Sequence, residues 1–256
     1  MLKINNDFLG YHPLEHNVLF SGSDSLELYE DNLKTKLDDW YYRTNQISYV
    51  RNKNGHRCKN IEDINLDNYI LTIGCSHTEG IGLKLEDTYP YLLSQKMNCD
   101  YYNLGIGGTG IDVLNYNLVT WFAKIKKPPK LLIVQWPNRV RMVLENYSKD
   151  EVEYIEHGIW SSFYEGVGEF LVLGEQINFF KTTKTLTKNI IHTIATCPII
   201  EVSTKFDSFS NVDLMLVQRD SARDHAKTQL QGHLGVESQK INTEMLYKEA
   251  IRLINT

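Results

Sequence analysis

No apolar run in this chain approaches the roughly 20 residues that a membrane-spanning helix needs, and no tract is repeated or low in complexity. The opening residues, MLKINNDFLGYHPLEHN, lack an apolar core and a small-residue cleavage site, so no secretory signal is expected. Cysteine is sparse. Cys58, Cys75, Cys99 and Cys197 lie far apart and form no CxxC pair, which argues against a zinc knuckle and against a disulfide framework. A cytoplasmic location is the simplest expectation. An excess of positive charge is also missing: the net charge of −5 gives no footprint for nucleic acid. The short basic run KIKKPPK at 124–130 is broken by prolines and reads as a solvated loop. What is present is an ordinary globular composition, 256 residues with 42% hydrophobic and 23% charged. That length supports a full core in one α/β domain with decorations.

Residues 1–66 are polar and aromatic-rich with weak periodicity, and read as a lead-in segment packed on a main domain at 67–256. A short strand, ISYVR, and an NG turn at Asn54–Gly55 are expected within it. From Asn68 the pattern sharpens. YILTI and KLLIVQW are near-continuous apolar runs, as buried parallel strands are, with DYYNLG as a short strand between them. TYPYLLSQKM predicts a helix with Thr88 as N-cap, and Ile111, Leu114, Leu118, Trp121 and Ile125 recur at helical spacing. The order β-α-β-α-β predicts a three-layer α/β/α sandwich on a parallel sheet. The stretch 140–180 has no clean period and reads as a cap or insertion. Beyond it, FFKTTKTLTKNIIHTIATC predicts a helix, PIIEVST and VDLMLVQ strands, and VESQKINTEMLYKEAIRLIN an amphipathic final helix.

In open parallel sheets, ligands bind beyond the carboxyl ends of the strands. Three loops leave such ends: GCSHTEG at 74–80, NLGIGGTG at 103–110 and QWPNR at 135–139. A fourth stretch, RDSARDHAKTQLQGHLG, precedes the final helix. Together they would bring a serine, glycine-rich amides, a polar side chain and an Asp/His-rich segment to one edge. Acyl transfer needs such a set: a nucleophile, a base with an orienter, and oxyanion donors.

In this order of blocks the sequence resembles the SGNH/GDSL hydrolase family, over about residues 69–140 and 212–254, and YVRNKNGHRC resembles the lead-in of some members. The resemblance implies a flavodoxin-like α/β/α fold and serine-dependent hydrolysis of esters, often acyl groups on sugars or lipids, without cofactor or metal. It assigns Ser76 as the nucleophile and His233 as the base. The backbone N–H groups of Ser76 and Gly108, with the Asn138 side chain, become the oxyanion donors. The sequence also departs from the family. Cys75 stands where Asp is usual, QWPN only loosely matches GxND, and no Asp lies three residues before a candidate histidine. Asp224, nine positions before His233, is the preferred orienter. Asp220 with His225 is the alternative pair, and some such hydrolases work with a Ser–His dyad.

Other readings of the same residues are weaker. A lone serine in a glycine-bounded turn is usually a helix cap. His77 adjoins Ser76, but neighbouring side chains do not face each other, so surface or structural duty is expected. Cys75, one position before the serine, should point the opposite way. GIGGTG lacks the later acidic residue of a dinucleotide site. Asp213, Asp220, Asp224, His225 and His233 fit no ordinary metal template. The expected partner is a small-molecule or glycan ester, with no nucleic acid and no membrane span. An acyltransferase on the same site, or a non-catalytic glycan-binding module, are the rival expectations.

Overall fold

The protein is described from a computed structural model, which covers residues 2–11, 18–137, 142–146, 153–157, 173–204, 212–224 and 232–255. Its centre is set by two apolar strands. β3 (Tyr69–Ile73) and β5 (Leu131–Gln135) are buried along their whole length, as strands covered on both faces must be. They join β4 (Asp100–Asn103), β8 (Ile199–Thr204) and β9 (Leu214–Leu216) in one all-parallel sheet ordered β4-β3-β5-β8-β9. Numbered along the chain, this is the flavodoxin order 2-1-3-4-5, with its switch point between β3 and β5.

Because successive side chains alternate across a strand, the two faces collect different residues. Leu71, Ile73, Leu132 and Val134 pack on Leu114, Leu118 and Trp121 of α4 (Ile111–Lys124) and Ile191 of α5 (Leu173–Ile194). Ile70, Leu131, Ile133 and Ile200 pack on Leu93 of α3 (Tyr89–Lys96) and on Leu246 and Ala250 of α6 (Val236–Ile254). The result is the expected three-layer α/β/α sandwich. No helix among the described residues is long and apolar enough to cross a membrane.

Three sequence expectations need correction in detail. Thr88 does precede α3, but its hydroxyl donates to the Leu85 carbonyl at 2.7 Å and makes no side-chain cap. ISYVR is not a ladder strand: only Tyr49 forms a bridge, to Val18. Its alternation reflects burial, since Ile47 and Tyr49 are fully buried while Val50 is 51% exposed. Within 140–180 the structure describes β6 (Met142–Asn146), β7 (Glu153–His157) and the start of α5, which begins ahead of the expected helix. The rest of that stretch lies outside the described residues.

The N-terminal residues form a hairpin, β1 (Leu2–Asn5) and β2 (Phe8–Tyr11), turning through Asn6 and Asp7 with φ of 49° and 75°. Positive φ at both turn residues matches the right-handed twist of the strands. The hairpin pairs with β7, giving an antiparallel sheet ordered β2-β1-β7-β6. Polar anchors hold it to the core. The buried Asn117 side chain of α4 bonds both the N–H and the C=O of Leu9, each at 2.8 Å. A helix α1 (Leu26–Thr35) follows, capped by Ser25.

His56 is a second anchor: its Nε2 donates to the Leu9 carbonyl and its Nδ1 accepts from the Tyr102 hydroxyl. Complete burial pushes its pKa down to about 4. The folded state therefore keeps His56 neutral, while the unfolded chain takes up a proton near pH 6.5. Stability is expected to be intact above that pH and to fall between about pH 6.5 and about pH 4, by up to about 3 kcal/mol from this group. Urea titrations across that window should show the slope shrink in His56→Gln; an unchanged slope would assign it elsewhere.

Candidate active site

Beyond β3 the chain passes Gly74 and Cys75 into a single helical turn, α2 (Ser76–Glu79), and leaves it through Gly80 at φ 81°. Gln135, the last residue of β5, anchors this turn. Its Oε1 accepts from the Cys75 N–H at 3.0 Å and from the Thr78 hydroxyl at 3.1 Å. The Cys75 thiol points at the same oxygen, 3.2 Å away. Arg57 closes the other end by donating to the Gly80 and Leu83 carbonyls at 2.6 and 2.7 Å. Its guanidinium lies over the Tyr49 ring, and burial lowers its pKa. Ser76, 6% exposed, begins the turn, so its N–H faces no intrahelical carbonyl. That N–H has no acceptor among the described residues.

The loop after β4 lies against this serine. A Cβ placed on Gly107 would sit 3.5 Å from the Ser76 Cβ and 3.0 Å from Glu79 Oε2. Gly108 follows with φ 78°, a left-handed conformation that side chains disfavour. Its N–H likewise has no acceptor among the described residues. The loop is held by Glu79, 1% exposed, whose Oε2 accepts from the Gly107 N–H at 2.6 Å. Glu79 Oε1 meets Arg51 at 2.9 Å, and both side chains are buried.

The histidine and its acid arrive together although nine positions separate them. Residues Ser221 and Leu234 form an antiparallel bridge, and the Ala222 N–H donates to the His233 carbonyl at 2.9 Å. His233 Nδ1 thereby meets the Asp224 carboxylate, which is 2% exposed. The Ser23 hydroxyl donates to the same Asp224 oxygen at 2.9 Å. A carboxylate accepts only, so Nδ1 carries the proton and Nε2 keeps the lone pair. Gly82, just past α2, allows the close docking of this segment: a Cβ there would lie 2.8 Å from both Ala222 Cβ and Asp224 Oδ1. Arg223 ties the segment to the N-terminal region through a buried ion pair with Asp24. The His77 ring lies 5.1 Å from the His233 ring, so the residue after the serine faces the histidine loop instead of serving at a remote surface.

Asp220 has another task. Its carboxylate accepts from the N–H groups of Glu237 and Ser238 at 3.0 and 2.8 Å, closing the start of α6. Asp213 accepts from the Glu201 N–H on β8. The acidic residues weighed as a metal cluster are thus dispersed among separate tasks. Asn138 and His225 lie outside the described residues. Sequence reasoning missed Ser23, Arg51 and Glu79 because their partners lie far away along the chain. GCSHTEG did contain Glu79, yet nothing local marks it as a partner of Gly107.

Fold and site together define an α/β/α protein with a serine, two backbone donors unengaged among the described residues, and a histidine–carboxylate pair at the carboxyl edge of a parallel sheet. No protein-family model matches the chain, and no curated protein matches it. Among solved structures it is similar to a carbohydrate esterase family 2 enzyme with a carbohydrate-binding domain from Corynascus thermopiles (Myceliophthora fergusii). That match has 11% identity and a TM-score of 0.44, over 74% of this chain and 67% of that one. It is also similar to an acetyl xylan esterase, Est2A, from Butyrivibrio proteoclasticus, at 12% identity and TM-score 0.42, over 71% and 62% of the two chains. A protein assigned to the G-D-S-L lipolytic family from Desulfitobacterium hafniense DCB-2 matches at 13% identity and TM-score 0.42, over 71% and 98%.

Asp220→Ala is expected to cost about 1–2 kcal/mol of stability through the unclosed start of α6. Chemical denaturation would measure this. The imidazole resonances of His233 should stay in place; their displacement would mean that Asp220 also serves the histidine.

Proposed function

We propose that the protein is a serine esterase of the SGNH type, acting on acyl esters of a carbohydrate or lipid through an acyl-enzyme on Ser76. His233 Nε2 takes the proton from the Ser76 hydroxyl as Oγ attacks the ester carbonyl. The N–H groups of Ser76 and Gly108 stabilise the oxyanion, and the resemblance adds the Asn138 amide as a third donor. The intermediate collapses as His233 returns the proton to the departing alcohol. Water, deprotonated by the same imidazole, then releases the acid and restores Ser76. Asp224 holds the ring in the tautomer that leaves Nε2 basic and stabilises the imidazolium.

The observation that carries this reading is the contact of His233 Nδ1 with Asp224, at the sheet edge where Ser76 begins its turn. The nine-residue spacing between the two does not argue for a non-catalytic module, because the Ser221–Leu234 bridge brackets it. Transfer of the acyl group to a sugar hydroxyl would use the same groups. Product analysis with an added acceptor separates transfer from hydrolysis.

Intact-mass analysis after fluorophosphonate treatment is expected to give one adduct on wild type and none on Ser76→Ala. His233→Ala and Asp224→Asn should slow p-nitrophenyl acetate hydrolysis by about 1000-fold or more. Unchanged hydrolysis by Ser76→Ala would sink the reading.

A further inference from the structure

One side chain near the glycine loop has no part in the chemistry described so far. Tyr11, at the end of the N-terminal hairpin, donates its hydroxyl to the Gly107 carbonyl at 2.8 Å, across 96 positions of sequence. The carbonyl of Gly107 and the N–H of Gly108 belong to one peptide unit. That unit is planar and trans, so the two groups point in opposite directions. Fixing the carbonyl fixes the N–H. Glu79 meanwhile holds the preceding peptide by its Gly107 N–H. Between two glycines a peptide plane is otherwise cheap to rotate, because neither residue has a Cβ to restrict it.

Tyr11 is itself firmly placed. The Arg51 guanidinium lies 4.2 Å over its ring, and the Asn5 side chain donates to its carbonyl at 3.0 Å. A Cβ on Gly55 would come within 2.0 Å of the same carbonyl, so the 52–56 turn packs directly on this residue. We infer that Tyr11 is a positioning residue for the oxyanion donor: its hydroxyl locks the Gly107–Gly108 peptide plane with the Gly108 N–H presented to the reacting carbonyl. The inference rests on the serine-esterase reading. Its content is that the N-terminal hairpin, outside the parallel-sheet core, completes the oxyanion hole.

The test is Tyr11→Phe, which removes one oxygen and keeps the ring under Arg51. With p-nitrophenyl acetate as probe, kcat is expected to fall about tenfold or more, short of the full loss of a donor, with KM unchanged. The rate of fluorophosphonate labelling at Ser76 should fall in step, and the melting temperature should stay near wild type. Phe8→Leu, in the same strand, serves as control: it loosens the packing of the hairpin on Trp121 of the main core without touching Gly107, and should lower the melting temperature while sparing kcat. Wild-type kcat in Tyr11→Phe overturns the inference while leaving the esterase reading intact. Equal kcat losses in both variants overturn it too, since the hydroxyl would then not be the cause. A wild type that takes no label at Ser76 brings down the esterase reading itself, and this inference with it.

Discussion

The arrangement depends on one buried carboxylate. Glu79 is 1% exposed, and an ionised side chain removed from water survives only with partners on its oxygens. One oxygen takes the Arg51 guanidinium and the other the Gly107 N–H. Removing one member of such a pair typically costs about 3–5 kcal/mol, so the three groups stand or fall together. They come from the N-terminal region, the turn after β3 and the loop after β4. A single desolvated charge thus fixes three otherwise separate pieces of chain around Ser76.

The same logic repeats around the turn. Arg57 has its guanidinium among the carbonyls of Ser48, Gly80 and Leu83, and Arg223 pairs with Asp24 while also reaching the Leu19 carbonyl. Asp24 accepts from the Tyr49 hydroxyl, which in turn accepts from the Gly82 N–H. Each guanidinium presents several donors in a fixed plane, suited to gathering carbonyls and carboxylates from different segments. The region before β3 therefore supplies charged clamps as well as buried apolar residues such as Phe8, Ile47 and Tyr49. Its weak hydrophobic periodicity fits this mixture, since buried apolar and buried polar side chains are interleaved along it.

The legibility of the sequence follows from the same division. Apolar runs such as YILTI and LLIVQ and the spacing of Leu114, Leu118 and Trp121 announce burial through local pattern alone, and the sheet with its flanking helices could be read from them. Ser76 was conspicuous because glycines bound its turn. Contacts at long range leave no such mark. Tyr11 and Gly107, or Ser23 and Asp224 at 201 positions apart, look ordinary until the fold is known. Alternation misled at ISYVR because half-burial against a neighbouring cluster has the same period as a paired strand.

The spacing between acid and histidine shows why geometry outranks a motif's fixed interval. Stretching a three-residue interval to nine raises the closure entropy by only about 1 kcal/mol on the logarithmic law for loops. The bridge between Ser221 and Leu234, the N–H of Arg223 on the Gly82 carbonyl and the Asp220 closure of α6 all act on the two ends of that interval. Any one of these hydrogen bonds contributes on the order of 1 kcal/mol. Two or three suffice to offset the longer interval. A nine-residue interval therefore keeps the contact here because its two ends are held by the Ser221–Leu234 bridge and by the Arg223 N–H on the Gly82 carbonyl, just past the turn that carries the serine.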